Sequence, residues 1–149
     1  MLIDTHCHIN FSDFDHDRAD VIKRCGRDQI DIIVMPGTEA SGWQNIIALS
    51  QKESALYFAL GLHPIFLGAS LEQDLALLEK ELDTRHKKCV AVGEIGLDYH
   101  CNVSPELQQT AFERQLYYAN QFHLPILVHH RKSHNDVHRW LKQHTVDKG

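Results

Sequence analysis

His6-Cys7-His8, Glu94 and His129 are the residues of this chain whose types and placement could do metal chemistry. Neutral imidazole is a preferred ligand for zinc and similar divalent ions, and strand residues two apart point to the same side. His6 and His8 can therefore reach one ion, with Asp4 beneath them on the same face. The bland alternative is a pair fraying off a strand into solvent, and HxH alone does not exclude it. Glu94 ends Val90-Ala91-Val92-Gly93-Glu94, a run too apolar to hold a carboxylate without a metal, a cation or several donors. Taken alone, it could equally be a rim glutamate paired with lysine or arginine. His129 ends Pro125-Ile126-Leu127-Val128, and His130 should face the opposite way. Arg131 shares parity with His129 and could grip a phosphate oxygen bidentately. The two histidines could otherwise simply start a loop.

Each of these residues needs a strand end to hold it, and the sequence supplies five. Leu2 to Thr5, Asp31 to Met35, Leu56 to Leu60, Cys89 to Gly93 and Pro125 to Val128 read as strands. Helices are expected over Asp17 to Arg27, from an N-cap at Ser41 through Gln51, over Leu71 to Leu82, from Ser104-Pro105-Glu106 to about Phe122, and over His134 to His144. Five strands, each followed by a helix, point to parallel β/α architecture. The strands are apolar throughout rather than alternating, as when both faces are covered. A doubly wound open sheet and part of a (β/α)8 barrel both fit that pattern. After Ile3-Asp4, however, the chain has no GxGxxG to admit a pyrophosphate, so the barrel is the better reading. Barrel active sites sit on the C-terminal rim of the strands, where His6, His8, Glu94 and His129 would lie together.

Composition bounds the rest. The chain of 149 residues is 43% hydrophobic and 23% charged, within the range of soluble globular proteins. No apolar run approaches the roughly 20 residues needed to span a bilayer, and the start lacks the pattern of a signal peptide. Cys7, Cys25, Cys89 and Cys101 form no CxxC pair and read as reduced thiols, so the cytoplasm is the expected compartment. A net charge of −5 gives no broad basic face for a nucleic-acid backbone. Bound metal and a few local cations would have to attract such a substrate.

Four blocks of the chain resemble the successive signatures of TatD-type hydrolases. They are Asp4-Thr5-His6-Cys7-His8, Gly61-Leu62-His63-Pro64, Gly93-Glu94-Ile95-Gly96-Leu97-Asp98 and Pro125-Ile126-Leu127-Val128-His129-His130-Arg131. The resemblance runs from the first residue to about Leu141. It implies a TIM-type (β/α)8 metal-dependent hydrolase barrel, here about five β/α units in a single partial domain over residues 1–149. It further implies a deoxyribonuclease that cleaves phosphodiesters with a metal-activated water. His6 and His8 would hold one divalent ion, Glu94 would bridge two, and His129 would hold the second. His63 would lie beside the pocket on substrate phosphate or an additional metal, although His63-Pro64 by itself reads as a strand-ending turn. Asp98 and Arg131 would line the pocket, and Asp4 would orient a ligand histidine. Zinc, manganese, cobalt and magnesium are the expected ions, magnesium least so with several imidazoles.

The family's further histidine and aspartate, after the sixth and eighth strands, have no counterpart before Gly149. Two alternatives therefore stand beside the nuclease: an incomplete metal-binding or interaction fragment, and an amide or lactone hydrolase of the related barrels. Open sheet edges would favour self-association. His134 and His138 are four apart, but Asn135 stands where an HExxH zinc site needs glutamate, so they read as exposed helix residues.

Overall fold

Parallel pairing in strict chain order organises the molecule, whose computed structural model describes residues 1–144 and 146. The strands are β1 (Leu2–Asp4), β2 (Ile30–Pro36), β3 (Leu56–Leu60), β4 (Cys89–Asp98) and β5 (Ile126–Arg131). They form one sheet in the order β1-β2-β3-β4-β5, every neighbouring pair parallel. Parallel crossovers are almost always right-handed. A sheet that never reverses its order therefore carries all its helices on one face, and its other face becomes the inside of a barrel. A doubly wound sheet would need a reversal, and among the described residues there is none.

The helices are α1 (Arg18–Arg27), α2 (Trp43–Lys52), α3 (Leu71–Asp83), α4 (Pro105–Phe122) and α5 (His134–Gln143). Leu71, Leu75, Leu78 and Leu82 make the buried stripe of α3, at the spacing that puts side chains on one helix face. Leu75 and Leu78 are fully buried, so truncating either to alanine costs about 2–5 kcal/mol. At the start of α4, the Ser104 hydroxyl accepts from the Leu107 N–H at 3.3 Å and Pro105 occupies the first turn.

Several boundaries differ from the sequence reading. Ser41 caps nothing: it lies within a 3-10 turn, Ala40–Gly42, and α2 starts at Trp43. β1 ends at Asp4, so His6 and His8 lie beyond it and strand parity does not govern them. β4 runs past Gly93 to Asp98, and β5 past Val128 to Arg131. Glu94 is thus a mid-strand residue. The apolar run that marked β4 stops at Gly93, but the ladder to β5 resumes after a register shift between Val92 and Ile95. Gly96 makes that approach possible, at φ 141°, because a Cβ there would collide with the His129 carbonyl.

The sheet curls. Gly37, just after β2, accepts from the Glu94 N–H at 2.7 Å and donates to the Gly93 carbonyl at 3.1 Å, reaching past β3. This brings the C-terminal ends of β1, β3, β4 and β5 toward one another. Leu2 and Ile3 on edge strand β1 are 57% and 49% exposed. Among the described residues no helix is long and apolar enough to cross a membrane.

Candidate metal centre

Glu94 is the hub of the site. It is buried, and its two carboxylate oxygens face different histidine pairs. Oε2 lies 3.3 Å from His6 Nε2 and 3.6 Å from His8 Nε2. Oε1 lies 3.3 Å from His129 Nδ1 and 3.7 Å from His63 Nε2. The side chains fall into two groups, His6-His8-Glu94 and His63-Glu94-His129, with donor atoms within 4.8 Å of one another in each. A carboxylate shared between two sets of imidazole nitrogens suits borderline divalent ions, so the donor chemistry fits a pair of metals.

His6 and His8 reach Glu94 from a loop. The Cys7 N–H donates to the Val34 carbonyl at 3.0 Å, pinning the segment to β2 between them. Asp4 Oδ1 accepts from the His6 main-chain N–H at 3.1 Å, so Asp4 steers a backbone and not an imidazole. Downstream, the Arg18 guanidinium donates to the carbonyls of Ile9 at 2.7 Å and Phe11 at 2.9 Å. Phe11 then stacks on His8 with ring centres 4.8 Å apart. Burial, followed by Asp4, pushes the Cys7 thiol above its ordinary value, and Cys7 joins neither group.

His129 is held at both nitrogens. Nδ1 faces Glu94, while Nε2 lies 3.1 Å from Asp98 Oδ2. The other oxygen of Asp98 accepts from the His100 N–H at 2.9 Å. Burial would raise the Asp98 carboxyl, but the His100 bond, His129 and Arg131 together hold it below its ordinary value. Asp98 is therefore an anion poised to accept a hydrogen bond from His129 Nε2–H, which keeps the proton on Nε2 and leaves Nδ1 with a free lone pair.

His63 is held differently. Its Nδ1 accepts from the Ile65 N–H at 3.2 Å, so a neutral His63 carries its proton on Nε2, toward Glu94. Burial, and after it His129, lowers its pKa to about 4, so the ring is neutral near pH 7. For Glu94, burial works upward, but His8, His63, His6 and His129 outweigh it and hold the carboxyl at about 2.

Six of the seven predicted positions, His6, His8, His63, Glu94, Asp98 and His129, therefore meet at one rim. Arg131 ends β5 beside them, exposed like His130 and Lys132, and its charge is felt at Asp98. His130 turns away from the centre and meets His134 at 5.6 Å between ring centres. His134 and His138 are exposed and stack on each other, apart from the site. Sequence reasoning passed over the buried Gln108 and Gln115 on α4. The available signal was an amide seven residues from another on a helix face otherwise occupied by Ala111, Phe112 and Ala119.

The chain as a whole is similar to several known proteins. A family model described as TatD-related DNase matches residues 3–149. A metal-dependent hydrolase of Escherichia coli is 37% identical over 145 residues, covering 97% of this chain and 56% of that protein. A crystal structure of a TatD homologue from Escherichia coli superposes with a TM-score of 0.92 at 37% identity, over 97% of this chain and 56% of that one. A human protein named as a deoxyribonuclease is 26% identical over 99% of this chain and 58% of its own length. A Cronobacter turicensis protein named as a 3'-5' single-stranded DNA and RNA exonuclease is 31% identical over 89% of this chain and 50% of its own length. The chain spans little more than half the length of the relatives it matches.

Proposed function

The chain belongs to the TatD-related DNase family, and we propose that its residues 1–149, one partial barrel domain, build most of a two-metal site for hydrolysing phosphodiester bonds in DNA. The observation that carries this is Glu94, with one carboxylate oxygen facing His6 and His8 and the other facing His129 and His63. His6, His8 and Glu94 would hold one divalent ion, and Glu94 with His129 Nδ1 the other. The nitrogen-rich donor set favours zinc, manganese or cobalt over magnesium. A pair of such ions supplies an acidified water and neutralises charge on the phosphoryl oxygens.

The remaining roles belong to this chain's own side chains. His63 presents Nε2–H to the pocket and donates to a phosphate oxygen. Arg131, exposed beside Asp98, grips another. Asp98 keeps the His129 proton on Nε2. Phe11 and Phe66, 40% and 50% exposed, touch His8 and His63, offering faces on which unpaired bases can stack. An arginine and two aromatic faces at one rim favour nucleic acid over the amide or lactone substrates of related barrels.

Two further features belong to the same proposal. Unpaired cysteines at all four positions fit the cytoplasm. The edge strand β1, with Leu2 and Ile3 exposed, offers a route to self-association.

The test is metal content by elemental analysis, with cleavage of single- and double-stranded DNA assayed on the same sample. About two ions per chain are expected, with cleavage that chelation abolishes and Glu94→Gln removes along with both ions. One ion without cleavage would support the non-catalytic metal-binding fragment instead. Neither metal nor cleavage would overturn the reading.

A further inference from the structure

Gln108 and Gln115 are fully buried on α4, and each closes a two-bond ring on the main chain of a single residue. Gln108 Oε1 accepts from the Asp98 N–H at 2.7 Å, and its Nε2 donates to the Asp98 carbonyl at 2.9 Å. Gln115 treats Leu62 in the same way, at 2.7 Å and 3.2 Å. The remaining donor capacity of each amide is used as well, on the Val103 carbonyl at 2.9 Å and the Ala111 carbonyl at 3.1 Å. Neither side chain has slack.

The clamped residues are the ones that aim the site. Asp98 is the last residue of β4 and carries the carboxylate that faces His129 Nε2. Leu62 lies past the end of β3, directly before His63. Where the ladder has run out, buried N–H and C=O groups need other partners. Water could satisfy them, but an amide fixed to a helix also sets their position. Residues seven apart lie two turns along one helix face, about 10 Å from each other. A single rigid helix thus references His63, through Leu62, and the Asp98 carboxylate that faces His129; the two imidazoles meet with ring centres 4.2 Å apart.

We infer that Gln108 and Gln115 are positioning residues of the metal centre, Gln108 acting on His129 through Asp98 and Gln115 acting on His63 through Leu62. The inference rests on the metal-site reading above. It predicts a crossed pattern that a general packing role would not give.

The experiment uses Gln108→Met and Gln115→Met in the full chain. Long-range 1H–15N spectra of the imidazoles are recorded without metal, and zinc affinity is measured by competition with a chromophoric chelator. In Gln108→Met the larger shift is expected at His129, and in Gln115→Met at His63. Gln108→Met should also lose about 10–100-fold in zinc affinity, as for removal of a partner behind a ligand, whereas Gln115→Met, which acts on a ring that holds no ion, should keep it. Equal shifts of both rings, no shift of either, or unchanged zinc affinity in Gln108→Met would overturn the assignment. Where a methionine variant does not fold, Gln108→Glu and Gln115→Glu, which keep the acceptor and drop the donor, are read by the same crossed criterion. A wild-type chain that takes up no zinc would sink the metal reading, and the imidazole spectra would still decide whether the glutamines position the rings.

Discussion

Asp98 Oδ2 stands 3.1 Å from Nε2 of His129, and that contact decides which nitrogen of the ring is left to face Glu94. A carboxylate behind a ligand imidazole fixes its tautomer and raises its basicity. Asp98→Asn should therefore weaken zinc binding by about 10–100-fold while moving thermal stability little. Chelator competition alongside a melting curve checks this. A loss of stability with affinity intact would assign Asp98 to the fold rather than to the site.

Stability of the chelated chain should fall on mild acidification, with His63 as a named cause. Its pKa is about 4 in the folded protein against an ordinary 6.5. The unfolded chain takes the proton first, so this contribution is complete above about 6.5 and drains away between 6.5 and 4. The shift corresponds to a loss on the order of 3 kcal/mol. Glu94 acts in a lower window: held at about 2 against 4.5, it stabilises above 4.5 and fails as pH drops toward 2. Urea midpoints from pH 7 downward should decline more steeply for wild type than for His63→Asn, which keeps an acceptor for the Ile65 N–H. Parallel curves would remove His63 from the account.

Phe11 and Phe66 are the exposed rings in contact with His8 and His63. If they stack bases, Phe11→Ala and Phe66→Ala should each weaken binding of a single-stranded oligonucleotide by about 1–3 kcal/mol. Binding of inorganic phosphate should stay as in wild type. Fluorescence anisotropy with the oligonucleotide, and phosphate competition, separate the two. Equal loss of both ligands would point to damage at the metal centre.

Arg131 offers a different signature, because a phosphate contact carries no base preference. Arg131→Ala should lower affinity for all oligonucleotide sequences alike and reduce the salt dependence of binding by roughly one phosphate contact, about 0.7 in the slope for single strands. Titrations at several salt concentrations measure that slope. An unchanged slope would place Arg131 outside the substrate path.

Much of this architecture is legible in local sequence. Apolar runs such as Leu56 to Leu60 read as strands by their short length and the Gly61 that bounds them, and Ser104-Pro105 announces α4 to the residue. The chemistry-bearing residues were equally visible, because imidazoles and a carboxylate next to apolar runs break their pattern. Tertiary structure alone decided how they are shared out. Which oxygen of Glu94 faces His6 and His8, and which faces His129 and His63, depends on the curl that brings Gly37 onto Gly93 and Glu94. His63 is the turn residue its sequence suggests, capping the 3-10 turn Pro64–Phe66 after β3, and only the approach of β3 and β5 brings its ring to the site as well. Gln108 and Gln115 showed only as two amides on an apolar helix face, and a buried amide is informative only once its partners are known. Those partners, Asp98 and Leu62, are 10 and 53 residues away in the chain. Periodicity reports on neighbours within a few residues, whereas these contacts are set by how α4 packs on the end of its own strand β4 and on the segment that follows β3.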